Sequence, residues 1–148
     1  MRKIILPPIL LLSCLIGMVA LYQYGETTPI ITGVLKNVGY LLIALGIALP
    51  VWGARIFKRV ETNIIPYKSP DKLVTEGPFR FSRNPMYLGM ILVLTGTAVR
   101  VGALEGLYFV ALFFAVANWW YIPFEEGKMS AIFGEQFTDY KKQVRRWL

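Results

Sequence analysis

Arg83 and Asn84 stand directly before Pro85, and they are the first side chains whose types and order could do chemistry. Asparagine is favoured at the N-cap of a helix and proline in its first turn, so a helix is predicted to begin here. A helix N-terminus offers unpaired N–H groups, and the Arg83 guanidinium adds a bidentate donor. This combination suits an anionic group such as a carboxylate. Alternatively, Asn84 only caps the helix and Arg83 only anchors the chain at a membrane surface.

The adjacent carboxylates of Glu125 and Glu126 are the second such feature. They follow a long apolar stretch, and acidic side chains at the C-terminal end of a helix oppose its macrodipole. Two adjacent carboxylates are unusual at the end of an apolar helix, which makes them candidates for a functional role. The simpler alternative is that they start an amphipathic helix over residues 125–148, which we predict to lie along the cytoplasmic membrane interface. The apolar stripe of that helix would comprise Phe133, Phe137, Tyr140, Val144 and Trp147.

The residue types that are rare or missing in the sequence exclude several kinds of site chemistry. There is no histidine and one cysteine, so neither a bound metal nor a disulfide within the chain is expected. A histidine general base is also excluded, which leaves carboxylates, tyrosines or the charge of the substrate itself. The net charge of +7 follows the edges of the apolar blocks, so we expect contact with lipid head groups and not with nucleic acid.

Four apolar blocks must position these residues, and 55% of the chain is apolar. We predict one all-α, polytopic membrane domain over residues 1–148, with spans at about 4–24, 38–57, 86–102 and 103–124 and a cytoplasmic loop at 58–85. About 20 helical residues cross the hydrocarbon core, and the third block is shorter than that. The third block could form a tight helical hairpin with the fourth through Gly102, and the alternative to four spans is three spans plus a re-entrant hairpin. The first block could also be a signal peptide, but its apolar run continues past Cys14, which favours a retained anchor.

The distribution of lysine and arginine predicts the orientation of these spans. Basic residues are concentrated before the first span, between the second and third, and after the fourth, namely Arg2, Lys3, Lys58, Arg59, Lys68, Lys72, Arg80, Arg83, Lys128, Lys141, Lys142, Arg145 and Arg146. With four spans these segments share one side of the membrane. Basic loops remain in the cytoplasm, so both termini of this multi-pass protein are predicted to be cytoplasmic.

The order of the motifs resembles a known family. Residues 73–89 read Leu-Val-Thr-x-Gly-Pro-Phe-Arg-x-x-Arg-Asn-Pro-Met-Tyr-x-Gly, the acidic pair follows after one span, and residues 133–140 read Phe-Gly-x-x-Phe-x-x-Tyr. This arrangement is similar to that of the membrane methyltransferases related to isoprenylcysteine carboxyl methyltransferase and the phospholipid N-methyltransferases. The resemblance covers residues 57–148, whereas the earlier spans match in hydropathy alone.

The resemblance implies S-adenosylmethionine as methyl donor, bound at the cytoplasmic face beneath a membrane cavity. The acceptor would be a lipophilic or lipidated molecule in the bilayer, with a carboxylate, amine or thiol as the methylated group. The positions matching the family's cofactor contacts are Leu73, Val74, Phe79, Asn84, Pro85, Met86, Tyr87 and Glu125, and those expected to be catalytic are Arg83 and Glu126.

Two departures from the prenylcysteine enzymes bear on the substrate. Asn84 stands where those enzymes have a histidine, although Asn-Pro is common in the broader family. They also carry an arginine about four residues before the acidic pair, and residues 121–124 contain none, which argues against a prenylcysteine carboxylate. Two other classes are alternatives: a non-catalytic membrane protein of the same fold, and a sterol-reductase-like oxidoreductase that uses NADPH.

Overall fold

A computed structural model describes residues 6–25, 27, 30–61 and 71–148. The predicted basic residues Arg2, Lys3 and Lys68, the start of the first predicted span and residues 62–70 of the predicted loop lie outside these ranges. Six α-helices are described: α1 (Pro7–Tyr24), α2 (Lys36–Val60), α3 (Pro85–Val101), α4 (Gly106–Val116), α5 (Ile122–Phe133) and α6 (Glu135–Gln143). Short 3₁₀ turns at Gly33–Leu35 and Gly77–Arg80 precede α2 and α3.

The long helices confirm the prediction of an all-α membrane protein. Three continuous helices are long and apolar enough to cross a bilayer: Pro7–Tyr24, Gly33–Val60 and Gly106–Phe133. α3 is apolar but has only 17 residues, so it falls below the usual length of a span. The count of four spans therefore remains a prediction.

α3 lies at the centre of the helix bundle. It packs against α2 on one side and against α1 and α4 on the other. The buried cluster on the second side includes Met18 of α1, Leu94 of α3 and Phe113 of α4. The starts of α1 and α3 lie at the same end of the bundle as the C-terminal part of α2, and residues 125–129 of α5 lie beside them.

Glycines set the separation between α2 and α3. The buried residues of α2 are Gly39, Gly46 and Gly53, which recur every seven residues on one helix face. A Cβ on Gly39 would lie 2.5 Å from the carbonyl oxygen of Gly96, and a Cβ on Gly46 would lie 2.7 Å from that of Gly89. The two backbones are therefore in direct contact, as is common where small residues line helix interfaces in membranes.

Substituting Gly46 by alanine is expected to destabilise the protein by about 1–3 kcal/mol, the usual cost of overpacking. The added methyl group would meet backbone atoms of α3, which cannot move as a flexible side chain can. Thermal unfolding in detergent measures the effect. Gly127→Ala is the matched control, because a Cβ at Gly127 meets no atom within 4 Å. Equal unfolding temperatures for the two variants would contradict this account of the interface.

The amphipathic helix predicted over residues 125–148 is corrected by the structure. Glu125 and Glu126 do not start a helix, because α4 runs through a π-helical turn at Ala117–Tyr121 directly into α5. Pro123 lacks the N–H that a regular helix would use, and such breaks in the hydrogen-bond ladder are accommodated by π turns. The helix ends at Gly134, whose φ of 52° and ψ of −117° suit glycine alone. α6 follows, and residues 144–148 are not helical.

Candidate functional site

A cavity of about 510 Å³ opens where α1 and α3 begin, near the C-terminal end of α2 and beside residues 125–129 of α5. All of the predicted site residues line it: Leu73, Val74, Phe79, Arg83, Asn84, Pro85, Met86, Tyr87, Glu125 and Glu126. They come from three parts of the chain: the segment before α3, the first turn of α3, and α5. The structure thus brings together the ten residues predicted for the site, while the role of each remains a prediction.

Glu125 is held in the cavity wall by Tyr87. The Tyr87 hydroxyl donates a hydrogen bond of 2.7 Å to Glu125 Oε1. The Tyr87 ring is buried and stacks on Tyr121, with 6.1 Å between the ring centroids. The buried Tyr87 therefore fixes the position of the Glu125 carboxylate. Glu125 itself stays partly exposed.

Glu126 has different partners from those of its neighbour. Arg83 Nη2 donates to Glu126 Oε1 at 2.9 Å, and Arg146 Nη2 donates to Glu126 Oε2 at 2.6 Å. The side chains of Arg83 and Glu126 are 12% and 18% exposed. Both carboxylate oxygens of Glu126 are thus occupied by guanidinium groups, an arrangement that neutralises its charge in a largely buried place.

Arg83 connects the loop before α3 to the C-terminal part of the chain. Its Nη1 donates to the carbonyl oxygens of Lys141 and Val144, each at 3.1 Å. Within the described part of the chain, Nε of Arg83 is buried and has no hydrogen-bond partner. One donor of this guanidinium therefore has no hydrogen-bond partner among the described residues.

Asn84 occupies the predicted N-cap position of α3, but its side chain makes no capping hydrogen bond. Its Nδ2 instead donates to the carbonyl oxygen of Arg146 at 3.0 Å. The backbone carbonyl of Asn84 accepts the first helical bond, from the Leu88 N–H at 3.0 Å. The alternative in which the Asn84 side chain serves as an ordinary helix cap is therefore wrong.

Phe79 belongs to the apolar wall, and Tyr140 of α6 fixes its backbone. The Tyr140 hydroxyl donates to the Phe79 carbonyl oxygen at 2.6 Å, and the Phe79 ring meets Phe57 edge to face. Burial raises the pKa of Tyr140 to about 12, with the positive charge of Arg83 acting in the opposite direction. The phenol thus stays protonated, and remains a donor, at any physiological pH.

The sequence reasoning did not assign several residues of this cavity to the site. They are Leu6, Pro7, Pro8, Phe57, Met90, Lys128, Met129, Phe137 and Tyr140. Lys128 stands one helical turn from Glu125, so helical spacing could have identified it. The sequence pattern predicts that Phe137 and Tyr140 belong to an apolar stripe. In the structure both are buried residues of α6 that line the cavity.

The π turn determines which residues of α5 reach the cavity. Such a turn admits one additional residue, so it rotates the helix that follows it relative to a regular α-helix. Glu125, Glu126, Lys128 and Met129 all line the cavity after this turn. The turn also carries Asn118, whose side chain accepts a hydrogen bond of 3.1 Å from Trp147 Nε1.

The fold and the site together define a small helical membrane protein with a mostly apolar cavity that also contains a few charged and polar side chains. The model of the family described as phospholipid methyltransferase matches residues 35–136, and the chain belongs to this family of membrane methyltransferases.

Curated relatives agree with that assignment. The chain is 31% identical over 116 residues to protein-S-isoprenylcysteine O-methyltransferase B of Arabidopsis thaliana, covering 74% of this chain and 57% of the relative. It is 30% identical over 115 residues to the A form from the same plant, covering 74% of this chain and 56% of that relative. An uncharacterized protein of Haemophilus influenzae is 35% identical over 63 residues, 43% of this chain and 100% of that relative. The chain thus spans little more than half the length of the plant proteins that it matches.

Proposed function

We propose that the protein is an S-adenosylmethionine-dependent methyltransferase that acts on a lipophilic acceptor from the bilayer, at the cytoplasmic face. The observation that carries this proposal is the convergence of all the family-matched positions on one cavity. Those positions are separated by up to 53 residues in sequence, between Leu73 and Glu126. Membership of a methyltransferase family supports the same reaction.

The cavity fits the proposed cofactor in size and in the chemistry of its walls. A volume of about 510 Å³ lies in the range of small-molecule sites. Glu125 would bind the ribose hydroxyls or the ammonium group, and the Arg83 guanidinium would donate to a carboxylate oxygen of the cofactor. The rings of Phe79 and Tyr87 suit adenine and the sulfonium cation. The bound cofactor supplies an electrophilic methyl group on sulfur.

The residues of the protein would then contribute alignment and exclusion of water. Apolar side chains dominate the wall away from the carboxylates, including Leu6, Met90 and Met129. They would admit a lipid chain and keep water from the reacting groups. A carboxylate or thiolate acceptor needs no base. For an amine acceptor, Glu125 is the better final proton acceptor, either directly or through the Tyr87 hydroxyl, which would pass its own proton to Glu125 as it takes one from the amine, because Glu126 is held by two arginines.

Ligand titration and methyl transfer test this proposal. Purified protein in lipid nanodiscs is titrated with S-adenosylmethionine and, separately, with NADPH. The methyl-labelled cofactor is then incubated with the protein and a total lipid extract of the source organism. We expect the first ligand to bind and the label to enter a lipid. Binding of NADPH would indicate an oxidoreductase, and binding of neither ligand would indicate a non-catalytic relative.

We also propose that both ends of the chain lie in the cytoplasm. The support is the asymmetry of lysine and arginine together with four antiparallel helical runs, of which α3 is the short one. Reporter fusions after Leu148 and within residues 23–32 measure the orientation. The reporter after Leu148 is expected to be active in the cytoplasm and the other outside it. An extracytoplasmic signal from the first fusion would exclude this topology.

A further inference from the structure

Residues 144–148 form an extended strap that lies against the loop before α3. Backbone carbonyl groups of this strap accept hydrogen bonds from three consecutive loop residues. The donors are Ser82 Oγ to Arg146 at 3.3 Å, the Arg83 N–H to Arg145 at 3.0 Å, Arg83 Nη1 to Val144 at 3.1 Å, and Asn84 Nδ2 to Arg146 at 3.0 Å. Ser82 and Asn84 are among the few buried polar residues of the described chain. The strap therefore satisfies donors that would otherwise be buried without partners.

The side chains of the strap attach it to the helix on the other side. Trp147 packs on Phe114 of α4, with 5.0 Å between the ring centroids, and its Nε1 donates to Asn118 in the π turn. Arg146 donates to Glu126 at 2.6 Å. The strap thus joins the loop before α3 to the helix that carries the acidic pair. These are the two walls that supply the polar groups of the cavity.

None of the strap residues lines the cavity. We propose that the strap is a positioning element of the site and that Arg146 is its positioning residue, acting through Glu126 on Arg83. This inference rests on the proposed function. Arg146 supplies a second guanidinium to Glu126, so that Glu126 binds protein groups and Glu125 remains the carboxylate that meets the ligand.

The physical reason is charge balance in a largely buried cluster. With Arg146 present, Glu126 holds Arg83 in one orientation through Oε1 while Oε2 is occupied. Without Arg146, that oxygen loses its charged partner and the carboxylate is free to rotate. Arg83 would then be oriented mainly by its Nη1 hydrogen bonds to the carbonyl groups of Lys141 and Val144. Only Arg83 would offset the charge of Glu126, so a cationic ligand such as S-adenosylmethionine would compete for Glu126 as well as for Glu125.

The experiment compares Arg146→Gln with Lys142→Gln. Each change removes one positive charge and one ion pair from the same part of the chain, but the Lys142–Asp139 pair is exposed and lies away from the cavity. We expect Arg146→Gln to weaken S-adenosylmethionine binding about tenfold, which corresponds to one charged hydrogen bond. Lys142→Gln should bind like the wild type. Arg146→Lys, or ethylguanidinium added to Arg146→Gln at non-denaturing concentration, should restore part of the affinity.

Hydrogen exchange supplies a readout that does not depend on the cofactor. In Arg146→Gln, the amides of residues 82–88 should exchange faster while those of the α2–α3 interface remain protected. Equal affinity and equal exchange in the two variants would overturn the positioning role. A uniform rise in exchange without rescue by ethylguanidinium would also overturn it, since it indicates general destabilisation. If the wild type fails to bind S-adenosylmethionine, the proposed function fails, and local exchange at residues 82–88 still decides the role of the strap.

Discussion

Glu125→Gln is expected to lower the affinity for S-adenosylmethionine roughly ten- to hundredfold, with little change in unfolding temperature. Glutamine has the size of glutamate and can still accept the hydrogen bond from Tyr87 through its amide oxygen. The substitution thus removes mainly the negative charge that faces the cavity. A lost charged hydrogen bond typically costs about 1.5–3 kcal/mol, which gives this range of affinity. Equilibrium titration of the purified variant measures the change.

Glu135→Gln is the control for that experiment. Glu135 is an exposed acidic residue in the first turn of α6 and does not line the cavity. Its substitution removes the same charge from the same side of the molecule. If Glu125→Gln binds the cofactor as tightly as Glu135→Gln does, Glu125 has no part in the cofactor site.

Glu126→Ala is expected to lower the free energy of unfolding by about 3 kcal/mol. Removing one member of a buried ion pair leaves a charge without compensation, and the usual cost is about 3–5 kcal/mol. Arg83 and Arg146 would both lose their carboxylate partner here. The lower end of the range applies because the Arg146 side chain is 34% exposed. Thermal unfolding in detergent should show a clear decrease.

Asp139→Ala is the matched comparison for this second substitution. It removes a carboxylate that pairs with Lys142 at 2.9 Å, but the two side chains are 64% and 72% exposed. Exposed ion pairs contribute only about 0–1 kcal/mol, so this variant should unfold nearly as the wild type does. Equal unfolding temperatures for the two variants would show that the Arg83–Glu126–Arg146 cluster does not stabilise the fold.

Together the two expected results assign different tasks to adjacent glutamates. The motif treats them as one acidic pair, and nothing in their residue type separates them. Their partners do: Glu125 accepts a hydrogen bond from a neutral tyrosine hydroxyl and has the positive charge of Lys128 near it, whereas Glu126 is hydrogen-bonded to two guanidinium groups. We therefore expect a ligand to compete more readily for Glu125.

The sequence by itself determined the class of the fold and ten of the residues that line the candidate site. Apolar runs of near-span length predict membrane helices wherever they occur, because the bilayer imposes their length and requires internal hydrogen bonding of the backbone. The order of the motifs around Arg83 and Glu125 also identified ten positions that the structure places in one cavity. The start of α3 at Pro85 follows from local chemistry in the same way.

Only the tertiary structure decided how those residues are connected. The position of Asn84 before Pro85 predicts a helix cap. Its side-chain amide instead donates to the carbonyl oxygen of Arg146, 62 residues further along the chain. Arg146 carried no local sign that it would meet Glu126, because the two are 20 residues apart and the break at Gly134 lies between them. The helix predicted to start at Glu125 instead continues from the membrane through a π turn. Hydrogen bonds of this kind depend on which surfaces the packed helices bring together, whereas sequence patterns report only neighbours within a few helical turns.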